Sequence, residues 1–306
     1  MEKKIAIIDL GTNTCNLLIA EYQDRNYRIL HQSKEVVKLG RNGIEKNMLT
    51  WDALERTVLA FQKHQTKIAK FKDTEITALA TSAIREAKNR DWFQMEIQKQ
   101  TGISIQIISG DKEADLIFKG VQLAFDDIQD NSLILDIGGG SNEFILASSN
   151  QAVWKQSFPL GMARIIEQFP ISDPITAKEI NQIHDYFNSH LEDLWIRLKN
   201  RTIPWLIGCS GAFDTLADII DQTDPGTKTR INQELDLNEV NLIYQKLIES
   251  TKDERIAMKG MEPIRIEMIV PAVIFISLIL EKLNIRKIYQ TDYALREGVL
   301  YELIFN

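Results

Sequence analysis

The chain has 306 residues, 44% of them apolar and 26% charged, with a net charge of −7. That size and balance leave room for two cores and exclude a low-complexity or intrinsically disordered chain. The acidic total argues against broad nucleic-acid binding. The two cysteines, Cys15 and Cys209, exclude a disulfide framework, and with no charged leader before the first strand a reduced, cytoplasmic setting is expected.

In chain order, strands are predicted at about 4–10, 15–22 and 27–38, then a helix from Trp51 to about Lys70. Thr50 is a good N-cap for that helix, and Leu54, Val58 and Phe61 share one of its faces. A strand at 75–80, a helix near 83–99, a strand at 103–108 and a helix that starts after Ser109-Gly110 and ends near Ala124 complete the first half. A polar link at 126–131 leads to strands at about 132–137, 142–149 and 152–158, then helices at 161–168 and 174–199. A strand at 204–208 enters a helix at 211–221, a long polar loop covers 222–236, and helices follow near 238–249 and 262–283. The stretch Ile269 to Leu280 is too short to span a bilayer and contains Pro271, so it reads as a buried helix. A strand at 287–290 precedes a final helix.

A pattern occurs twice. Ile8-Asp9-Leu10-Gly11-Thr12-Asn13-Thr14 is echoed 127 residues later by Leu135-Asp136-Ile137-Gly138-Gly139-Gly140-Ser141, each between two apolar runs. Leu79 to Ala83 and Ile207 to Gly211 likewise join a strand to a helix, 128 residues apart, and Ser109-Gly110 and Thr291-Asp292 both precede a last helix. Units recurring in order predict a duplicated α/β chain, 1–124 and 125–306, each half a mixed sheet flanked by helices, with a cleft between them. The final helix is free to pack back on the first half.

A strand-end aspartate beside a glycine loop is a natural ligand for Mg2+, so Asp9 and Asp136 are candidate metal residues. Gly138-Gly139-Gly140 lets backbone amides approach a phosphate, with Thr12, Thr14 and Ser141 as hydroxyl donors. Two tight hairpin turns are the plainer reading of either copy alone. Glu113, in the first turn of a helix, is one of three acids there that could accept a proton from water, beside Asp111 and Asp115. Arg85 reads equally as a phosphate ligand or a solvated helix arginine, and periodicity does not decide which way Glu143 faces. His31, His64, His184 and His190 show no ligand spacing and are not expected to be catalytic. Cys15 and Cys209 are expected to be small packing residues.

Asp9 to Asn13, Ile108-Ser109-Gly110 with Glu113-Ala114, Asp136 to Ser141, Ile269-Val270-Pro271-Ala272 and Leu295 to Tyr301 together resemble the signatures of the exopolyphosphatase/guanosine pentaphosphate phosphatase (Ppx/GppA) family, in the family's order. The resemblance implies a duplicated actin-like, ribonuclease H-like fold and Mg2+-dependent (or other divalent-cation-dependent) removal of terminal phosphate from inorganic polyphosphate. The same residues would serve guanosine pentaphosphate. It implies that Glu113 is catalytic and that Asp136 holds metal, with Glu143 as a nearby acid and Asp9, the other candidate metal residue, at the head of the first phosphate loop. It places phosphate at Gly11, Thr12, Asn13, Thr14, Arg85, Gly138, Gly139, Gly140 and Ser141, and at Gly208, Ser210 and Gly211 in a third loop. Lys112 before Glu113, Asn142 after Ser141 and the Gly-Cys-Ser-Gly-Ala third loop depart from the family pattern. An actin-like kinase or ATPase and a non-catalytic polyphosphate or alarmone sensor are the rival readings. No nucleic-acid or membrane partner is expected, and a homodimer is left open.

Overall fold

The structure, a computed structural model, describes residues 2–41 and 46–305. The chain divides into two compact units: unit 1 is Met1–Leu123 with Leu295–Asn306, and unit 2 is Ala124–Ala294.

Unit 1 contains β1 (Lys3–Leu10), β2 (Thr14–Gln23), β3 (Asn26–Val36), α1 (Trp51–Ile68), β4 (Thr74–Ala80), α2 (Ser82–Arg85), α3 (Arg90–Thr101), β5 (Ile105–Ile107) and α4 (Gly110–Ala124). Its sheet runs β3-β2-β1-β4-β5, antiparallel from β3 to β1 and parallel from β1 to β5. Side chains alternate across a strand, so β1 serves two cores. Ala6, Ile8 and Leu10 pack with Phe61 of α1 and Phe93 of α3, whereas Ile5 and Ile7 face the other way. Thr50 caps α1 by accepting from the Ala53 amide at 3.2 Å. The helix expected at 83–99 is two helices. Asn89 binds the Leu49 backbone with both side-chain polar atoms, at 2.9 and 2.8 Å, and this tertiary anchor breaks the run.

Unit 2 contains β6 (Ser132–Ile137), β7 (Asn142–Ser148), β8 (Gln151–Phe158), α5 (Met162–Gln168), α6 (Ala177–His190), α7 (Glu192–Leu198), β9 (Trp205–Cys209), α8 (Gly211–Asp221), β10 (Gln233–Leu235), α9 (Leu237–Glu249), α10 (Lys252–Ala257), α11 (Ile269–Leu283) and β11 (Lys287–Thr291). The expected helix at 174–199 is corrected to α6 and α7: a Thr176–Glu179 capping box sets the start, and Leu191 leaves helical geometry. The expected helix at 262–283 is a 3-10 turn, Pro263–Arg265, followed by α11. Pro271 sits in the first turn of α11, where no intrahelical donor is lost, so the helix runs through it unbroken. Two elements have no counterpart in the sequence-based expectation: β10, three residues added to the edge of β11, and α10, a short helix with its own capping box. Among the described residues no helix is long and apolar enough to cross a membrane.

The last helix, α12 (Leu295–Phe305), belongs to unit 1. Leu300 and Ile304 cover Ile5, Ile7, Leu18 and Ala20, the second face of the β1–β2 pair. Gly298 lies so close to α4 that a Cβ there would overlap the Leu116 carbonyl. Glu302 receives Lys112 and Lys119 of α4 at 2.5 and 2.6 Å.

The unit 2 sheet runs β10-β11-β9-β6-β7-β8. Read from β8, its first five strands repeat the unit 1 order and the same switch from antiparallel to parallel pairing. This duplicated mixed sheet is the actin-like, ribonuclease H-like arrangement.

Candidate functional site

The twin loops share one construction. Gly11 N–H donates to the Thr14 carbonyl at 2.9 Å, and Gly138 N–H to the Ser141 carbonyl at 3.0 Å. In unit 1 the Thr12 carbonyl accepts from Leu39 N–H at 2.7 Å, and the Asn13 carbonyl from Val37 and Lys38 at 2.9 and 3.1 Å. In unit 2 the carbonyls of Gly138, Gly139 and Gly140 accept from Met162, Ala163 and Gly161, and Arg164 Nε adds a 2.9 Å bond to Gly140. Gly161 is required there, because a Cβ would collide with the Gly139 and Gly140 backbone. With its carbonyls engaged behind it, each loop is suited to meet an anion through amides and hydroxyls.

Strand register answers the question about Glu143. Asp136 and Glu143 are directly paired on β6 and β7, so their side chains stand on one face of the sheet, and both are buried. Ser210 Oγ donates to Asp136 Oδ2 at 2.8 Å, and Ser157 Oγ to Glu143 Oε1 at 2.6 Å. The equivalent pair in unit 1 is Asp9 and Asn16, where Asn16 Nδ2 donates to Asp9 Oδ2 at 3.1 Å. Burial pushes the Asp9 carboxyl above its ordinary value; the Asn16 amide and Arg296 oppose that, and Glu297 adds to it. Unit 2 therefore offers two adjacent carboxylates and unit 1 a carboxylate with an amide. Mg2+ commonly takes one or two carboxylates and completes its shell with water and substrate phosphate, so the unit 2 oxygens fit it. Among the described residues no group of three or more His, Cys, Asp or Glu could hold a metal by protein ligands alone.

Glu113 opens α4. Its amide bonds the Ser109 carbonyl at 2.9 Å, and Ser109 Oγ accepts from Lys112 N–H at 3.2 Å, which caps the helix. Glu113 is buried, with Arg85 Nη1 at 2.6 Å from Oε2. Of the three acids in that turn, the structure sets Glu113 against Arg85, and Arg85 is engaged with a carboxylate rather than solvated.

The third loop differs from its sequence outline. Gly208 lies inside β9, where its missing side chain admits the Phe213 ring; a Cβ would overlap that ring. Ser210 holds φ +68° and ψ 173°, a conformation that favours glycine. Gly211 begins α8 under the Arg265 guanidinium, which occupies the space a Cβ would need. Arg265 is buried, its Nε makes no hydrogen bond, and Glu262 Oε2 lies 3.7 Å away. Arg265 is absent from the sequence-based candidates; the only signal for it is a lone arginine ahead of the most apolar helix. His64 is buried in the unit 1 core with Nε2 3.0 Å from the Cys15 carbonyl, and burial lowers its basicity. Cys15 and Cys209 are free and buried, and burial raises the Cys15 thiol well above its ordinary value.

Residues 18–306 match the model of the Ppx/GppA phosphatase family. The chain is 34% identical over 288 residues to the bifunctional 3-dehydroquinate synthase/phosphatase of Fusobacterium nucleatum, covering 90% of this chain and 43% of that protein. It is 24% identical over 299 residues to exopolyphosphatase 1 of Mycobacterium leprae, covering 97% of this chain and 88% of that one. The crystal structure of an exopolyphosphatase from Cytophaga hutchinsonii superposes with a TM-score of 0.93 at 35% identity, covering 99% of this chain and 98% of the other. With this likeness over nearly its whole length, the chain belongs to the Ppx/GppA phosphatase family.

Proposed function

We propose that the protein is an exopolyphosphatase that releases terminal phosphate from inorganic polyphosphate, with Glu113 as general base. The observation that carries the reading is Glu113 itself, a buried carboxylate at a helix start with Arg85 at 2.6 Å. A binding site has no use for a proton acceptor; hydrolysis is accelerated by one. The names of the relatives support the substrate class.

In the Gly11–Thr14 and Gly138–Ser141 loops the amides and hydroxyls beyond the first glycine, whose own N–H is held within the turn, hold phosphate oxygens. The Ser210 and Gly211 amides and Arg265 supply further donors in unit 2, the Ser210 hydroxyl proton being given to Asp136. Asp136 and Glu143 are the unit 2 residues that would hold Mg2+ or another divalent cation, and Asp9 is the corresponding carboxylate of unit 1. When bound, that cation neutralises charge on the phosphate oxygens. Glu113 accepts a proton from water as the water oxygen bonds to the terminal phosphorus. The bond from that phosphorus to the bridging oxygen breaks, and its electron pair stays with the shortened chain. Arg85 keeps the Glu113 carboxylate oriented.

Phosphate release over polyphosphates of several lengths and over guanosine pentaphosphate, with and without Mg2+, tests the reading. Mg2+-dependent release from polyphosphate, lost in Glu113→Gln, is the expected result. Release from guanosine pentaphosphate alone would replace the substrate; tight binding of both without release would replace the enzyme by a sensor.

A further inference from the structure

Unit 2 contains a cavity of about 300 Å3 that none of the steps above uses. Its floor is apolar, from Ile166 of α5, Phe169, Ile175 and Val270 of α11. Lys252 and Glu267 stand at its mouth, about half exposed and joined by a 2.8 Å ion pair. Deeper in the wall, each Arg255 nitrogen already has a partner: Nε the Ile266 carbonyl at 3.1 Å, Nη1 the Ser250 carbonyl at 2.6 Å and Nη2 Asp173 Oδ1 at 2.9 Å.

We propose that this cavity binds an α-amino acid with a branched or aromatic apolar side chain. The volume is at the small end of ligand pockets, roughly 300–1,000 Å3, which suits a compact molecule. The apolar floor selects the side chain. An exposed ion pair contributes little, so a ligand head group can replace it at small cost. A zwitterion pairs both partners, carboxylate to Lys252 and ammonium to Glu267, whereas a singly charged ligand leaves one of them unpaired. Arg255 is bonded through each of its nitrogens and paired with Asp173, so the site lacks the set of free donors that a polyanion needs, which separates it from the phosphate loops.

The position gives occupancy a consequence. Ile166 lies one turn beyond the α5 amides that hold the Gly138–Gly140 carbonyls. Glu267 lies two residues from Arg265, which rests on Gly211. The occupant touches residues that adjoin the supports of both unit 2 loops, Ile166 on α5 and Glu267 beside Arg265, so its binding is coupled to theirs. The coupling rests on the phosphate reading of those loops; the binding does not.

Calorimetry on the full chain tests both. L-leucine and L-phenylalanine should bind saturably, while 4-methylpentanoate and 3-methylbutylamine, each lacking one charge, should bind about tenfold more weakly, the loss of one charge-assisted hydrogen bond. Glu267→Gln should weaken leucine binding by a similar factor, and Val270→Trp, which fills the floor, should abolish it. Glu267→Gln is a surface change, so it keeps the test valid if Val270→Trp does not fold. Absence of leucine and phenylalanine binding, equal binding of 4-methylpentanoate, or unchanged affinity in Glu267→Gln overturns the site. Leucine should also change tripolyphosphate affinity; an unchanged value overturns the coupling. Failure of tripolyphosphate to bind at all counts against the phosphate reading and leaves leucine binding standing.

Discussion

Arg85 Nη1 donates both to Glu113 Oε2 at 2.6 Å and to the Ile108 carbonyl at 3.2 Å, so one nitrogen ties the candidate base to the segment just before its own helix. Glu113→Gln keeps the shape and removes the base, so turnover should fall by about 10²–10⁴-fold while tripolyphosphate binding stays largely intact. Steady-state kinetics beside calorimetry checks this; near-normal turnover would remove Glu113 from the mechanism. Arg85→Ala should also lower turnover, and its effect should shrink in the Glu113→Gln background because the two act as one unit.

The paired carboxylates of β6 and β7 make a metal prediction. Chelation should abolish phosphate release, and Asp136→Asn and Glu143→Gln should each raise the Mg2+ concentration needed for half-maximal rate. A metal titration of the variants measures the shift. An unchanged midpoint in both would exclude this pair as the cation site.

Ser210 combines a left-handed backbone with a 2.8 Å bond to Asp136. Ser210→Ala loses the bond and keeps the backbone penalty; Ser210→Gly loses the bond and relieves it. Ser210→Gly should therefore be the more stable of the two by about 1 kcal/mol in urea unfolding. Equal stabilities would mean the loop relaxes without cost.

Glu179 gives a pH prediction. Hydrogen bonds from Ser172 and then Thr176 lower its carboxyl from 4.5 to about 2. A depressed value means stability present above pH 4.5 and lost as pH falls towards 2. Glu179→Gln should thus be less stable at neutral pH, with the difference from the parent closing across that window. A constant difference down to pH 2 would contradict the assignment.

Much of this architecture is legible in the sequence. The twin Asp-loop patterns reveal the duplication, because the same strand-turn-strand grammar must repeat where a sheet repeats. Thr50 announces α1 because a cap is a local signal. The departures come where tertiary contacts override local preference: Asn89 breaks a helix by bonding Leu49, and β10 exists because β11 offers it an edge. The facing of Glu143 depends on register, which periodicity in one strand does not supply. Arg265 escapes because its meaning lies in Gly211, distant in sequence and adjacent in space.

The placement of α12 bears on how the chain is made. Unit 2 is continuous in sequence, so its core can close as soon as its own residues have emerged. Unit 1 cannot: Ile5, Ile7, Leu18 and Ala20 wait for Leu300 and Ile304, which are synthesised after all of unit 2. During translation the first sheet therefore carries an uncovered apolar face longest, and it is the part of the nascent chain most exposed to aggregation or to capture by a chaperone.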